Sequence, residues 1–333
     1  MAKSELTAIA AALDAARSVA IFTHARPDPD AIGSQVGVGL MLAAMGKKVS
    51  LICLPPIPEP LQFLLNMLPE SIIHFTPEKT EQNSCDAILV VDTSARQQLE
   101  PAASFLESHA SHALILDHHI SGDLSHALIH RDTSAAACVE IITNLSQVLG
   151  VTLTKPMATA LLAGLVGDTG WFRFDSVTPH THEVAATLLA AGAEPSELWG
   201  RLMQSEKKSK LVLLSRAVGR IAFYAQDRIA VMEITRADMA QTNAEPLETE
   251  GLIDIPMMVE SVVSSIFLSE TPEGKIRASL RSKHTVDVNA VCHEFGGGGH
   301  ARAAGCRISG SLEGARDALV KAVERKLPGA AGI

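Results

Sequence analysis

The chain has few aromatic residues and no excess of positive charge. Aromatic residues make up 4% of its 333 residues, with one tyrosine and two tryptophans, and the net charge is −9. Binding of long duplex nucleic acid depends on a broad basic surface, and a track for a long single strand needs many aromatic side chains for base stacking. The composition therefore argues against both kinds of ligand. Any nucleotide substrate should be short and held in a local basic pocket.

The sequence also lacks a long apolar run and a disulfide pattern. No apolar stretch approaches the roughly 20 residues that span a membrane, and Glu5 and Asp14 interrupt the segment that would be uncharged in a signal peptide. The five cysteines, at 53, 85, 138, 292 and 306, form no CxxC pair, and their number is odd. We therefore expect reduced thiols, a cytoplasmic location and no membrane partner.

The length and composition are typical of a folded protein with two domains. Apolar residues make up 47% of the chain and charged residues 20%, as in ordinary globular proteins. Residues 1–193 alternate short apolar runs with helical patterns, which predicts an α/β domain with a doubly wound, mainly parallel sheet. A helical, polar linker is predicted at 194–216, followed by a smaller α/β domain at 217–333. The predicted strands of the first domain lie at 19–23, 48–53, 86–91 and 113–116, and its helices at 30–45, 61–68, 134–149 and 156–166.

Three of these predicted strands end in carboxylate and histidine side chains. The first runs into Thr-His-Ala-Arg-Pro-Asp-Pro-Asp at 23–30, the second into Asp92, and the third into Asp-His-His at 117–119. A fourth cluster, Gly-Asp-Thr-Gly at 167–170, follows the apolar stretch 158–166. Ligands gather beyond the carboxyl ends of parallel strands, so these side chains should converge. Crowded carboxylates repel one another, and two divalent cations would balance four of them. The pattern predicts a two-metal hydrolase.

Three of the four clusters also have an ordinary structural explanation. The two prolines keep the 23–30 loop extended, but Asp30 could simply cap the helix that follows. Asp92 could cap a turn, and the triplet around Asp168 is common in turns and at helix ends. Because the clusters occur together, we favour metal ligation over separate capping roles.

Four successive glycines at 296–299 precede His300 in the second domain. Such a run costs backbone entropy and has no evident packing purpose, whereas it lets backbone N–H groups approach a phosphate closely. A flexible hinge is the alternative. Nearby basic residues favour phosphate and nucleotide binding instead. The candidate substrate-binding residues are Arg281, Ser282, Lys283, Gly297, Gly298, Gly299, His300 and Arg302.

In this order, the motifs resemble the DHH phosphoesterase superfamily, which is named for the triplet at 117–119. The segments 281–282 and 296–300 resemble its DHH-associated C-terminal domain. Two compact domains without further modules resemble the nanoRNase branch, oligoribonucleases that also act on 3′-phosphoadenosine 5′-phosphate (pAp). The resemblance implies that one ion is held by His24, Asp28 and Asp92. It implies that a second ion is held by Asp30, Asp92, His118 and Asp168, with Asp92 bridging the two.

The resemblance further implies that His119 faces the scissile phosphate and that Asp117 orients the histidines. The implied reaction is hydrolysis of short single-stranded oligoribonucleotides to mononucleotides, and of pAp to AMP, by a hydroxide activated between two divalent cations. Mixed imidazole and carboxylate ligands favour Mn²⁺, with Mg²⁺ or Co²⁺ as alternatives. The segment 132–138 departs from the family pattern, because relatives usually carry more serine and threonine there; phosphate contacts at this segment are not carried over.

Other functions stay open. A family II-type inorganic pyrophosphatase is one, but pyrophosphate has no base or sugar for the His300 segment to contact. A phosphodiesterase for linear dinucleotides from cyclic dinucleotide turnover is another. A catalytically silent nucleotide-binding regulator is the third, although a binding protein has no use for six metal-ligand positions. A homodimer is compatible with the sequence.

Overall fold

The computed structural model describes residues 2–74, 85–100, 102–109, 113–124, 128–283 and 286–327. The chain divides into two compact units, Met1–Ser205 and Glu206–Ile333. The segment predicted as a linker, 194–216, contains the last helix of the first unit and most of the first helix of the second. Among the described residues, no helix is both long and apolar enough to cross a membrane. All five cysteines are unpaired.

The first unit is built on a six-stranded parallel sheet with the strand order β3–β2–β1–β4–β5–β6. This architecture confirms the predicted α/β fold class. The four central strands were expected from their apolar runs, whereas the two short edge strands were not. The strands are β1 (Ser18–Phe22), β2 (Lys48–Ile52), β3 (Ile73–His74), β4 (Ala87–Val91), β5 (Ala113–Asp117) and β6 (Leu128–Arg131).

Helices cover both faces of this sheet. Val19 and Ile21 of β1 join the larger core on one face, and Ala20 and Phe22 join the smaller core on the other. This alternation is what a doubly wound sheet requires, because both faces are buried. The helices are α1 (Ala2–Ala15), α2 (Pro29–Ala44), α3 (Gln62–Leu65), α4 (Ala103–Ser108), α5 (Cys138–Val148), α6 (Lys155–Asp168), α7 (Pro179–Ala190) and α8 (Pro195–Met203).

Two helices are shorter than the sequence patterns predict. The helix expected at 61–68 is reduced to the single turn α3, preceded by a 3₁₀ turn at Glu59–Leu61. The helix expected at 134–149 begins only at Cys138. Asp132 accepts hydrogen bonds from the backbone N–H and the hydroxyl of Ser134, and this local turn competes with helix formation.

The strand order changes direction between β1 and β4, which lie side by side at the centre of the sheet. The crevice at such a switch point, beyond the carboxyl ends of the strands, is where open α/β sheets bind ligands. The segments that leave β1, β4 and β5 at this edge carry the three predicted strand-end clusters. The fold therefore brings these clusters together.

The second unit contains a mixed six-stranded sheet with the order β11–β12–β10–β9–β8–β7, in which only β8 and β9 are parallel. Strands β9 and β10 form an antiparallel hairpin. Helix α12 packs Ala315, Leu319 and Val323 into the core of this unit. The strands are β7 (Ala222–Tyr224), β8 (Ile229–Ile234), β9 (Ser264–Glu270), β10 (Lys275–Ser282), β11 (Gly298–His300) and β12 (Ala303–Ser309). The helices are α9 (Lys208–Val218), α10 (Arg236–Thr242), α11 (Val288–His293) and α12 (Leu312–Glu324).

Candidate metal centre

Asp92 lies at the centre of the candidate site. It follows β4 in a left-handed backbone conformation, φ 62°, which aspartate tolerates better than most residues. The side chain is almost fully buried, with Oδ2 3.5 Å from Nε2 of His24 and Oδ1 3.3 Å from Nε2 of His118. The two carboxylate oxygens therefore face different histidines. This arrangement would let one carboxylate contact two ions.

His24 and Asp28 form the first cluster with Asp92, since ligand atoms of all three lie within 4.8 Å of one another. Nδ1 of His24 is 3.1 Å from the carbonyl oxygen of Ala25, and donating a proton there leaves Nε2 as a potential ligand atom. Oδ1 of Asp28 caps α2 by accepting the N–H of Ala31, while Oδ2 lies 3.8 Å from Nε2 of His24. The capping role considered for Asp30 thus belongs to Asp28, which has a second oxygen left for an ion.

Asp30 is fully buried in the first turn of α2. Its Oδ2 accepts the backbone N–H of Cys138 at 2.6 Å, and its Oδ1 accepts the N–H of Val139 at 3.1 Å. The first N–H groups of a helix have no partner within the helix, so Asp30 satisfies two of them at the start of α5. The same carboxylate reaches the site, with Oδ2 3.8 Å from Nε2 of His118.

Asp168 and His118 complete a second cluster with Asp30. Asp168 is the last residue of α6, and its Oδ2 lies 3.3 Å from Nε2 of His118. The ring is oriented by Nδ1, which is 3.3 Å from the carbonyl oxygen of Ala135. The C-terminal end of a helix carries partial negative charge, so a carboxylate there is unfavourable unless a cation lies nearby.

Close packing of α2 against α6 brings Asp30 and Asp168 into one cluster. A Cβ atom on Gly33 would lie 2.5 Å from the carbonyl oxygen of Ala160, and one on Gly164 would lie 2.9 Å from Oδ1 of Asp30. Both distances are shorter than van der Waals contact allows. Glycine at these two positions is therefore required for the helices to approach closely enough.

His119 is held by Asp117, the buried residue that ends β5. Oδ1 of Asp117 accepts hydrogen bonds from the backbone N–H of His119 at 3.1 Å and from its Nδ1 at 2.9 Å. The His119 side chain is 43% exposed, against 12% for His24 and 13% for His118. His119 is thus the histidine most open to a ligand, although it also belongs to a third group of potential metal ligands, with Asp92 and His118.

The carboxyl groups of the cluster repel one another. Burial, reinforced by the charges of Asp28 and Asp92, raises the pKa of Asp168 to about 7. Burial and the neighbouring carboxylates also raise the pKa of Asp30 well above its usual value. Anionic groups this close together are unfavourable unless positive charge is placed among them.

The pKa values of the two largely buried histidines are also raised, which for histidine favours the charged form. Burial by itself lowers the pKa of His24 and His118, but close contact with the negatively charged Asp92 outweighs it and raises both values to about 9. Burial likewise disfavours the ionised form of Asp92, yet the two histidines lower its pKa. Without cations, protons on the histidines therefore compensate the charge of Asp92.

The donor set fits divalent cations. Oδ1 of Asp92 and Nε2 of His118 are buried and have no hydrogen-bond partner, and unpartnered buried polar atoms are costly. The two atoms lie 3.3 Å apart, where the two clusters meet. The combination of carboxylate oxygens and imidazole nitrogens suits divalent transition-metal ions, which would satisfy these atoms and balance the carboxylates.

Ser94 and Arg131 were not anticipated from the sequence. Ser94 Oγ donates to Oδ2 of Asp117 and accepts a hydrogen bond of 2.6 Å from Nη2 of Arg131. The sequence offers little signal for either residue, because Ser94 merely follows the Asp92 segment and Arg131 ends the unpredicted strand β6.

The predicted substrate-binding residues lie in the second unit and have several internal partners. Nε of Arg281 is 3.6 Å from Oδ1 of Asp254. Ser282 Oγ donates to the carbonyl oxygen of Val286 at 2.6 Å, and Lys283 Nζ donates to that of Val259 at 2.7 Å. Arg302 Nη1 donates to the carbonyl oxygen of Lys283, whereas His300, at the end of β11, is exposed.

The glycine run has a packing purpose, contrary to the sequence-based interpretation. A Cβ on Gly297 would lie 2.2 Å from the carbonyl oxygen of Gly305, and one on Gly299 would lie 2.5 Å from that of Ala303. These two glycines let the segment lie directly against β12. Gly298 has ordinary space around it, with the nearest atom 3.6 Å from a Cβ placed there.

A cavity of about 530 Å³ lies beside this run. Of the predicted substrate-binding residues, Arg281, Gly297 and Gly298 line it, together with Arg277 and Arg307 from the neighbouring strands. The other predicted residues do not line this cavity. The structure therefore brings only part of the predicted set together around one volume.

A parallel sheet with carboxylates and histidines at its switch point, followed by a mixed-sheet unit, defines a two-domain α/β protein with a candidate binuclear metal centre. Residues 18–165 match the family model described as "DHH family, N-terminal domain", and residues 226–328 match the "DHHA1 domain". The chain belongs to the DHH phosphoesterase family.

Relatives of known name match most of the chain. The bifunctional oligoribonuclease and PAP phosphatase NrnA of Thermus thermophilus is 32% identical over 308 residues, covering 92% of this chain and 89% of that protein. The protein of the same name from Bacillus subtilis is 27% identical, covering 87% and 89%. The crystal structure of an exopolyphosphatase-related protein from Bacteroides fragilis matches with a TM-score of 0.86 at 22% identity, covering 99% and 98%. The match to that structure shows a shared fold.

Proposed function

We propose that the protein hydrolyses short oligoribonucleotides to mononucleotides, and pAp to AMP, with two divalent cations, preferably Mn²⁺. The observation that carries the proposal is Asp92, whose two carboxylate oxygens face two different histidines while Oδ1 has no hydrogen-bond partner. The similarity to two NrnA proteins over most of their length supports this choice of substrates.

Two overlapping sets of residues would hold the ions. The first set is His24, Asp28 and Asp92, and the second is Asp30, Asp92, His118 and Asp168. When bound, divalent cations polarise phosphoryl oxygens and lower the pKa of water. The mixture of imidazole and carboxylate ligands favours Mn²⁺ over Mg²⁺, which prefers oxygen ligands and retained water.

His119 is the proposed catalytic residue that contacts the reacting phosphate. Its Nδ1 donates to Asp117, so the ring orientation is set and Nε2 is left for a substrate oxygen. The hydrogen bond to Asp117 also raises the pKa of His119, which favours the protonated ring. A protonated ring can donate a hydrogen bond to the phosphoryl oxygens as negative charge develops there.

We assign recognition of the substrate to the second unit. The cavity beside Arg281 combines a guanidinium group with backbone that glycine leaves uncovered. Guanidinium groups bind phosphate oxygens in a bidentate geometry. Arg281 and the exposed His300, which lie on either side of Ala303 in the sheet, would bind the phosphate or nucleoside that is not being cleaved.

One panel of substrates tests the proposal. Purified protein with Mn²⁺ would be assayed on pyrophosphate, pAp, dinucleotides and 24-mer RNA, with Asp92→Asn as the control for contaminating nucleases. We expect turnover of pAp and dinucleotides that is absent from the control. Turnover of pyrophosphate alone would identify a pyrophosphatase, and nucleotide binding without any turnover would identify a regulator; either result overturns the proposal.

A further inference from the structure

Asp117 receives support from two residues that have no place in the metal clusters. Its side chain is fully buried, and Oδ1 is occupied by the two hydrogen bonds from His119. Oδ2 accepts the hydroxyl of Ser94. Arg131 lies directly across from Asp117 in the pairing of β5 with β6, with its Nε 3.8 Å from Oδ2.

The direction of these hydrogen bonds is determined by chemistry. A guanidinium group can only donate, so Arg131 Nη2 must donate to Ser94 Oγ across their 2.6 Å contact. The single proton of Ser94 is then free to point at Oδ2 of Asp117, and it does so in this geometry. Asp117 therefore acts only as an acceptor, which requires its ionised form. An ionised Asp117 in turn accepts a hydrogen bond from the Nδ1–H of His119.

Gly122 lies directly against this chain of hydrogen bonds. A Cβ on Gly122 would lie 1.9 Å from Ser94 Oγ, 2.7 Å from Ser94 Cβ and 2.6 Å from Arg131 Nη2. Any larger residue would therefore displace Ser94. Gly122→Ala can disturb the hydrogen bonds without removing any of the groups that form them.

His119 has an alternative role that these contacts disfavour. Its Nδ1 is 2.9 Å from Oδ1 of Asp117 and 3.9 Å from Oδ1 of Asp92. Asp92, His118 and His119 could together hold an ion. If Asp117 were released, Nδ1 would be free to turn to that ion. The contacts to Asp117 therefore decide whether His119 faces substrate or becomes a metal ligand.

We propose that Ser94 and Arg131 are positioning residues that fix the Asp117 carboxylate and thereby keep His119 directed at the substrate. The inference rests on the proposed function, because it gives His119 the role of contacting the phosphate. Neither residue needs to touch substrate or metal for this effect.

Four variants test the inference: Ser94→Ala, Arg131→Gln, Arg131→Lys and Gly122→Ala. Matched controls are Ser215→Ala, whose hydroxyl donates to the carbonyl oxygen of Val212 within its own helix, and Arg325→Gln, whose side chain pairs with Glu294. Three measurements would be made: kcat and KM on pAp by kinetics, the affinity and number of Mn²⁺ ions by calorimetry, and the His119 Nδ1–H resonance by NMR in the metal-free protein.

We expect Ser94→Ala, Arg131→Gln and Gly122→Ala to lower kcat by about 10- to 100-fold, as removal of outer contacts to ligating residues does in other sites. KM should stay near the wild-type value, and the Nδ1–H resonance should be lost or exchange rapidly. Arg131→Lys, which keeps a charged donor, should retain more activity than Arg131→Gln. The two controls should match the wild type in all three measurements.

An unchanged kcat together with an unchanged Nδ1–H resonance in Ser94→Ala would overturn the inference. A rise in KM with no change in kcat would also overturn it. Should Arg131→Gln fail to fold, Ser94→Ala and Gly122→Ala still decide the question. If the wild-type protein hydrolyses none of the substrates, the proposed function fails, but the resonance still shows whether Ser94 and Arg131 hold His119.

Discussion

Asp30 accepts a hydrogen bond of 2.6 Å from the backbone N–H of Cys138, a residue 108 positions later in the chain. The carboxylate therefore accepts the free backbone N–H groups at the start of α5 and, at the same time, lies in the candidate metal cluster. Because both oxygens of Asp30 are engaged by backbone N–H groups, its position is set before any ion binds. The start of α5 and the metal centre are thus structurally coupled.

The first prediction separates Asp92 from Asp117. Asp92→Ala should abolish turnover at every Mn²⁺ concentration, because its two oxygens face both clusters. Asp117→Ala should leave measurable activity, reduced by about 10- to 100-fold, because Asp117 acts through His119. Initial rates on pAp with increasing Mn²⁺ measure both effects. Equal, near-wild-type rates in the two variants would exclude the two-ion arrangement.

The second prediction concerns the stability of the metal-free protein as the pH changes. His24 and His118 have pKa values raised from 6.5 to about 9 in the folded protein. Their contribution to stability is fully present below about pH 6.5 and is lost as the pH rises through about 9. The pKa of Asp168 is raised from 3.8 to about 7, so this carboxyl group takes up a proton on folding in that range. Its contribution to stability therefore also falls as the pH rises from about 4 to 7.

Thermal unfolding in EDTA should therefore give a lower Tm near pH 9 than near pH 6. Mn²⁺ should reduce this difference, because it binds the deprotonated ligands and its affinity rises with pH. In Asp92→Asn, which lacks the charge that raises both histidine pKa values, the dependence should flatten. A metal-free Tm that rises from pH 6 to pH 9 would contradict the assignment of these groups.

Much of this site could be predicted because local signals pointed to it. The apolar runs that end at Asp92 and at Asp117 identify central strands, and parallel strands deliver their ends to one edge. Asp168 illustrates a weaker signal, since it lies at the end of a helix and reaches the site only because Gly33 and Gly164 allow α2 and α6 to pack closely. Such an approach depends on contacts between distant segments that no local pattern contains.

Other features could not be predicted for the same reason. The choice of Asp28 over Asp30 as the cap of α2 depends on the 2.6 Å contact from Cys138 that draws Asp30 inward. Ser94 and Arg131 meet only because β6 pairs with β5, and β6 is too short to show a clear pattern. The packing role of Gly297 and Gly299 appears only once β12 lies against them.

The third prediction concerns which glycines of the run are needed for packing. Gly297→Ala should destabilise the second unit by about 1–3 kcal/mol, as overpacking typically does, because its Cβ would meet the carbonyl oxygen of Gly305 at 2.2 Å. Gly298→Ala should be close to wild type in stability, because its nearest contact would be 3.6 Å. Urea unfolding measures both. Equal destabilisation by the two substitutions would refute the packing role.

The fourth prediction separates recognition from metal binding. Arg281→Ala and His300→Ala should each lower kcat/KM on pAp and dinucleotides by about 10- to 100-fold, since hydrogen bonds to charged groups contribute about 1.5–3 kcal/mol. Calorimetry should show unchanged Mn²⁺ affinity, because neither residue belongs to a metal cluster. Arg325→Ala, on the same unit, serves as the control. Loss of Mn²⁺ affinity in Arg281→Ala would contradict the division of roles between the two units.

The last prediction is a preference for short substrates. With a net charge of −9 and 4% aromatic residues, the protein has few basic and aromatic side chains that a long strand could contact beyond the end bound in the site. Additional nucleotides then add no interaction that stabilises the transition state, so they cannot raise kcat/KM. We expect kcat/KM to be highest for oligoribonucleotides of roughly two to five residues and to fall steeply with length. Initial rates on a 2-mer, a 5-mer and a 24-mer at equal concentration measure this directly. A preference for the 24-mer would mean that the protein has an extended groove for single strands, and that its acidic balance conceals a local basic track.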